Sequence, residues 1–297
     1  MVRYHGLVLA IRRFAGHLSH SEQLDAPLVV AHLTDQHVGR VTALAVQMKA
    51  VEATNAQAPD LVCITGDFVC HSQAYLEDLT EVVRAFRAPV FCVLGNHDHW
   101  CGADDVARAL QRAGACVLRN QHTAIELHHQ RLQIVGLDDA YTGHADALRA
   151  CQGLRSDLPT LGLSHIAEEA DHLWQLGVPL VLSGHTHAGQ ITVARLHELT
   201  SGKLAGHRYV HGMYGQRRGE GAVYVGAGIG AAVLPFRLGE RARREVALFE
   251  LGTQPGSLLE HHGEQVALAG RKPTAELRAR RHAAVKKKAS ARARGAW

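Results

Sequence analysis

Three short apolar runs set the frame. Residues 27–33, 60–64 and 90–94 are rich in aliphatic and β-branched side chains, and each is followed at once by glycine or polar residues. Runs of this length bounded by turn residues read as buried strands. Between them lie stretches with helical spacing: Leu44, Met48 and Val51 within 41–54, then Leu76, Leu79, Val83 and Phe86 within 75–87. The strand–helix–strand–helix–strand order predicts a parallel sheet with right-handed crossovers. Such a sheet delivers the carboxyl ends of its strands to one edge, where ligand sites of α/β proteins lie.

The residues at those ends are chemically alike. The first run leads into Asp35-Gln36-His37, the second into Gly66-Asp67, the third into Gly95-Asn96-His97-Asp98. Asp35 and His37 are two apart, so in an extended segment they face the same way. Amides, imidazoles and carboxylates pack poorly at a strand end and serve well as metal ligands and proton carriers. Two later runs repeat the pattern: residues 161–163 lead into Ser164-His165, and residues 178–182 into Ser183-Gly184-His185-Thr186-His187. Between the third and fourth ends the order changes. A helix is expected over 104–113, a short strand at 116–118, then strands over 123–127 and 131–135 joined at 128–130, with a further helix over 167–176. Consecutive strands predict a second sheet stacked on the first. Closing strands are expected at 222–225 and 245–251. The glycines between them (Gly226, Gly228, Gly230) lack the Lys-Ser/Thr of a phosphate-binding loop and read as a turn.

Collected, the ends supply Asp35, His37, Asp67, Asn96, His97, His165, His185 and His187, with no cysteine among them. Mixed oxygen and imidazole donors suit Mn, Fe, Zn or Co better than they suit a thiolate-bound structural zinc. The set is too large for one ion. It fits two ions about 3.5–4 Å apart that share a carboxylate, a pair that activates a water and clamps the oxygens of an in-line displacement at phosphorus.

In chain order, Asp35-Gln36-His37, Gly66-Asp67, Gly95-Asn96-His97-Asp98, His165 and Gly184-His185-Thr186-His187 resemble the D-x-H, GD, GNH(D/E), H and GHxH blocks of the calcineurin-like metallophosphoesterases. The resemblance covers residues 27–251. The longer strings Leu182-Ser183-Gly184-His185-Thr186-His187-Ala188-Gly189-Gln190 and Leu234-Pro235-Phe236-Arg237-Leu238 resemble a bacterial branch of that family. The branch includes membrane-anchored members and enzymes similar to UDP-2,3-diacylglucosamine hydrolases. The resemblance implies an α/β fold of four layers, α/β/β/α. It implies hydrolysis of a phosphate ester: a phosphodiester, a phosphomonoester or a pyrophosphate, lipid-linked nucleotide sugars included. One metal would sit on Asp35, His37, Asp67 and His187, and a second on Asp67, Asn96, His165 and His185, with Asp67 bridging and a hydroxide between the ions as nucleophile. His97 is then the proton donor to the leaving oxygen, and Asp98 orients its ring. The implied cofactors are two divalent transition-metal ions, Mn first, with Fe, Zn or Co as alternatives. Three departures stand out. Gln36 stands where Leu is common, Ile166-Ala167-Glu168 where Asn-Pro is common, and the amino-terminal segment is shorter than in the lipid-acting branch. His99, beside the tetrad, can serve substrate or structure.

Charge divides unevenly. Residues 271–297 hold ten Lys or Arg and one acidic residue, a net of +9, which leaves −5 for the rest of a chain whose total is +4. The expected divisions are an amphipathic amino-terminal segment over 1–26, the phosphoesterase domain over 27–252 and a basic tail over 253–297. In the first, Leu7, Ile11, Phe14 and Leu18 recur at helical spacing beside Arg12 and Arg13. An apolar helix face and a basic tail together can hold a protein at an anionic surface. Peripheral contact of a cytoplasmic protein with the inner face of a bacterial membrane is therefore one reading. Docking of the helix on the body, with a solvated tail, is the other. No run is long enough to span a bilayer or to form a secretory signal. The six cysteines show no close pairing, which points to a reducing compartment without disulfides, with Cys63 and Cys92 as buried thiols.

Two other functions compete with the phosphoesterase. A catalytically silent scaffold is one, although it would not require a competent residue at every donor position. A nucleic-acid-directed phosphodiesterase using the tail is the other. The body has no basic stripe with interleaved aromatics, and aromatic residues are only 5%, so base stacking is not indicated.

Overall fold

The structure, a computed structural model, describes residues 2–4, 7–70, 72–189, 206–231, 239–260 and 263–269. Gln190, the string 234–238 and the basic stretch 271–297 lie outside the described residues.

The chain opens with the antiparallel pair β1 (Val2–Tyr4) and β2 (Leu7–Ala15), followed by α1 (Leu18–Gln23). Three strand–helix units come next. β3 (Leu28–Leu33) leads to α2 (Leu44–Asn55), and β4 (Leu61–Thr65) to α3 (Leu76–Arg84). β5 (Val90–Val93) leads to α4 (Asn96–Cys101) and α5 (Ala103–Arg112), and β6 (Cys116–Val117) closes the series. β3 to β6 pair in parallel. Their strands are covered on both faces, so their sequences run apolar without alternation. α3 and α5 begin with Glu77, Asp78 and Asp104, Asp105 and end with Arg84 and Arg112, charges that match the helix dipole.

The second half supplies the hairpin β7 (Gln121–Leu127) and β8 (Gln130–Gly136), α6 (Ala147–Ala150), β9 (Thr160–Leu163), α7 (Ala170–Gln175) and β10 (Leu180–Ser183). β11 (Gly212–Gln216), β12 (Gly221–Val225) and β13 (Arg244–Leu251) follow. Seven strands form one sheet in the order β1-β2-β13-β3-β4-β5-β6, and six form another in the order β11-β12-β10-β9-β8-β7. Both are mixed.

Side-chain alternation fixes the layers. Val62 and Ile64 of β4 face α2, α3 and α5, packing with Val51, Leu79 and Leu110. Leu61 and Cys63 face the other way, against Ile134, Leu163 and Leu182 of the second sheet. Beyond that sheet, Val181 and Val223 pack on Ala150, Ala170 and Leu173 of α6 and α7. The result is the four-layer α/β/β/α sandwich. Cys63 and Cys92 are buried free thiols within it, as expected.

The expected helix over residues 7–18 is a strand from Leu7 to Ala15. β2 lies inside the first sheet, parallel to β13, with Val246 opposite Ile11 and Phe249 opposite Phe14. Phe14 is fully buried between the sheets, stacked on Phe249 at 5.5 Å. The helical spacing misleads because Arg12 and Arg13 look like a solvated face. Arg12 is only 2% exposed and points inward, with Nε 2.7 Å from Glu245 Oε2. Glu245 also accepts from Tyr224 Oη and the Ala227 N–H, both at 2.9 Å. Burial opposes its ionisation, but His211 and Arg12 overcome this and hold its carboxyl well below the usual range. A buried charge is tolerated when fully partnered, and here the partner lies 233 residues away.

Candidate metal centre

Five strand ends meet at one edge. The loops after β3 and β4 run side by side, with the Asp35 N–H on Gly66 O at 3.0 Å and the His37 N–H on Asp67 O at 2.9 Å. The loops after β9 and β10 are joined by the Gly184 N–H on His165 O at 3.1 Å. The Asp35 carboxylate accepts the His185 N–H at 3.0 Å, which ties the second pair of loops to the first.

The chain leaves these strands through strained turns. Asp35, His37, Asp67, His185 and His187 have φ of 49°, 44°, 55°, 75° and 51°. A left-handed conformation costs a residue with a side chain about 1–2 kcal/mol. Such strain persists where surrounding contacts over-determine it, and it concentrates at functional sites. Here each kink turns a donor inward. Two glycines are required by the crowding. A Cβ on Gly95 would collide with the Asp67 carboxylate, and one on Gly184 with Thr34 Oγ1 and the Asp35 carboxylate.

The donors gather into two sets that share a member. One atom each from Asp35, His37, Asp67 and His187 lies within 4.8 Å of the others, and so do atoms of Asp67, His165 and His185. His37 Nε2 is 3.0 Å from His187 Nε2 and 3.6 Å from Asp67 Oδ2. His187 Nε2 is 3.4 Å from Asp35 Oδ1. On the other side, His165 Nε2 lies 3.4 Å from Asp67 Oδ2, 3.2 Å from His185 Nδ1 and 3.2 Å from Asn96 Oδ1. Asp35, His37, Asp67, Asn96 and His165 are all buried.

Two features fit this edge to cations. His165 Nδ1 is bonded to Thr65 O at 2.7 Å, which turns Nε2 into the cluster in the manner of a metal-ligating imidazole. The second is charge. Burial opposes a proton on His165, yet Asp67 and Asp35 outweigh it and push its pKa up to about 10. Burial likewise opposes ionisation of Asp67, and His165 and His97 hold it well below the usual carboxylate range. The buried carboxylates thus draw positive charge into the site. Burial pushes His37 down to about 3, so its ring presents a lone pair.

His97 stands beside the sets. Its N–H donates to Asp67 Oδ1 at 2.9 Å, and its half-buried ring meets His37 edge-on at 4.8 Å. Asp98 serves as an anchor. Its Oδ1 accepts the Phe68 N–H at 2.8 Å and its Oδ2 the Gly95 N–H at 2.9 Å. These bonds direct the carboxylate to the backbone at Phe68, next to Asp67, and at Gly95. Burial and the charge of Asp67 raise its pKa to about 7. His99 is held in place by two contacts: Nε2 lies 2.7 Å from Asp138 Oδ1, and the ring stacks on His144 at 4.3 Å.

Several residues at the site carry no motif. Cys70 brings its sulfur within 4.8 Å of donor atoms of His37 and His97. Trp100 lies against His97 at 4.8 Å, and Tyr141 against His185 at 5.3 Å. His207 packs on His185 at 5.2 Å. Glu168 explains one departure from the family pattern. Its Oε1 accepts the Arg208 N–H at 3.0 Å and lies 3.2 Å from His207 Nδ1, so it secures the segment that presses on His185.

Comparison with known proteins agrees with the geometry. The family model described as calcineurin-like phosphoesterase matches residues 28–189. The chain is 30% identical over 234 residues to "Phosphodiesterase YaeI" of Escherichia coli (strain K12), covering 76% of this chain and 83% of that one. It is 29% identical over 228 residues to "Uncharacterized metallophosphoesterase YkuE" of Bacillus subtilis (strain 168), covering 75% and 78%. The family uses divalent metal ions, and the Asp/His cluster here is suited to hold them. The chain belongs to the calcineurin-like phosphoesterase family and is a metal-dependent phosphoesterase.

Proposed function

We propose that the protein hydrolyses a phosphodiester with two divalent transition-metal ions. The observation that carries the reading is the position of Asp67, the one residue common to both donor sets. Asp35, His37, Asp67 and His187 would hold one ion. Asp67, Asn96, His165 and His185 would hold the other. Bound there, the ions lower the pKa of a water and neutralise charge on the phosphoryl oxygens. Oxygen and imidazole donors favour Mn, Fe, Zn or Co.

The chain's own residues supply the rest. The Asp67 carboxylate fixes the His97 backbone through Oδ1 while Oδ2 faces the imidazoles. His97 delivers a proton from its ring to the ester oxygen that leaves as water oxygen bonds to phosphorus. An imidazole suits that task because it titrates near neutral pH. Asp98 holds the turn that carries Asp67 against the start of α4. The printed activity of the Escherichia coli relative supports a diester as substrate. The test is hydrolysis of bis(p-nitrophenyl) phosphate and p-nitrophenyl phosphate after metal reconstitution. Faster turnover of the diester is expected, and activity on the monoester alone would overturn the diester assignment.

Contact with an anionic membrane rests on the basic stretch 271–297, because Phe14 of the expected apolar face is buried between the sheets. Each Lys or Arg near an anionic surface is worth about 1 kcal/mol. Co-sedimentation with anionic vesicles at low salt, lost on deleting 271–297, is the expected result. Protein that stays in the supernatant would remove this part of the proposal.

A further inference from the structure

Aromatic residues are scarce here, and nearly all of the described ones are spent on the core. Phe68, Tyr75 and Phe86 pack under the first sheet, Phe14, Phe91, Tyr224 and Phe249 between the sheets, and Trp174, Tyr209 and Tyr214 outside the second. Among the described residues after β1, Trp100 and Tyr141 are the two Phe, Tyr or Trp that join none of these three clusters. Both are half-buried. They are held at the metal centre instead.

Their arrangement is specific. Trp100 lies one helical turn from His97 on α4, with ring centroids 4.8 Å apart. Tyr141, from the loop after β8, meets Trp100 at 5.9 Å with the ring planes 79° apart. Its other neighbour is His185 at 5.3 Å. The two rings form a corner that runs from the proton donor to a donor of the second set. Perpendicular rings offer a third ring a face to stack on and an edge to meet, the two geometries that aromatic quadrupoles favour. Large rings kept out of a hydrophobic core while partly exposed cost apolar burial. A ligand that covers them recovers that burial.

We propose that Trp100 and Tyr141 form a stacking subsite for a planar aromatic ester group next to the scissile phosphorus, which makes them specificity-determining residues. The inference rests on the phosphodiesterase reading of the same site and adds the class of substrate: esters that carry a planar ring, in preference to purely alkyl esters. The ring lies against Trp100 and Tyr141 while the phosphoryl oxygens face the Asp/His cluster.

The test compares phenylphosphonate with methylphosphonate, which present the same oxygens and differ in the ring. Calorimetry on the metal-reconstituted full chain gives both dissociation constants, and Trp fluorescence reports on the ring's approach. Phenylphosphonate should bind about ten-fold more tightly, the scale of ring stacking. The ratio of the two constants should fall toward one in Trp100→Leu and in Tyr141→Leu, and Trp100→Phe should restore part of it. A purely structural role for either residue would weaken both ligands together and leave the ratio intact. A ratio near one in the unmodified protein, or an unchanged ratio in both Leu variants, overturns the subsite. Failure of both phosphonates to bind while bis(p-nitrophenyl) phosphate is still hydrolysed overturns the subsite alone, and absence of that hydrolysis in the metal-loaded protein overturns the phosphodiesterase reading and the subsite with it.

Discussion

Asp67 Oδ1 accepts the backbone N–H of His97 at 2.9 Å. The opposite oxygen of the same carboxylate lies 3.6 Å from His37 Nε2 and 3.4 Å from His165 Nε2. One side chain therefore joins both donor sets and positions the candidate acid. Asp35 belongs to one set. Asp67→Asn should therefore strip both ions, whereas Asp35→Asn should retain about one per chain. Elemental analysis of the two purified variants gives the answer, and equal metal content in both would remove the bridging role.

His97 touches the cluster through its backbone and through ring contact with His37. Its replacement by Ala should lower turnover about 10²–10⁴-fold, the usual worth of a positioned proton donor, while both metals stay bound. The loss should shrink with p-nitrophenolate as leaving group, which needs little protonation. Loss of metal in His97→Ala would make the residue a ligand.

Two neighbouring arginines should behave oppositely. Arg12 is buried on Glu245, while the Arg13 side chain is 44% exposed. Removing one partner of a buried pair costs about 3–5 kcal/mol because the other charge is left without compensation. Arg12→Leu should lower stability by that amount in urea unfolding, and Arg13→Leu by no more than about 0.5 kcal/mol. Similar stabilities for the two variants would contradict the placement of β2 inside the sheet.

His20 sets a pH dependence away from the metal centre. It is fully buried, with Nδ1 accepting the His17 N–H at 3.3 Å and Nε2 donating to Thr160 O at 2.9 Å. Burial lowers its pKa from 6.5 to about 4. Between these values the unfolded chain binds a proton that the native chain does not. Its stabilising contribution is thus complete above pH 6.5, falls as pH drops, and is gone below about 4, a span of about 3 kcal/mol. His20→Gln should flatten the stability profile across that window. A profile with unchanged slope would assign the acid sensitivity to other groups.

The first sheet and the donors were legible for one physical reason. Parallel strands covered on both faces run continuously apolar, and their polar ends must share an edge, so Asp35, Asp67 and His165 announce themselves. β2 was hidden because the sense of Arg12 depends on Glu245, far along the chain. α4 was hidden because Gly95-Asn96 reads as a turn, while the bond from Gly95 N–H to Asp98 Oδ2 caps a helix. Trp100 and Tyr141 fit no motif, and only their exclusion from the packed core singles them out.

Metal content measured together with activity tests the candidate metal centre most directly. The purified, reconstituted protein should hold about two transition-metal ions per chain. A chelator should abolish hydrolysis of bis(p-nitrophenyl) phosphate, and added Mn should restore it. Full activity in protein shown by elemental analysis to be metal-free would contradict the account.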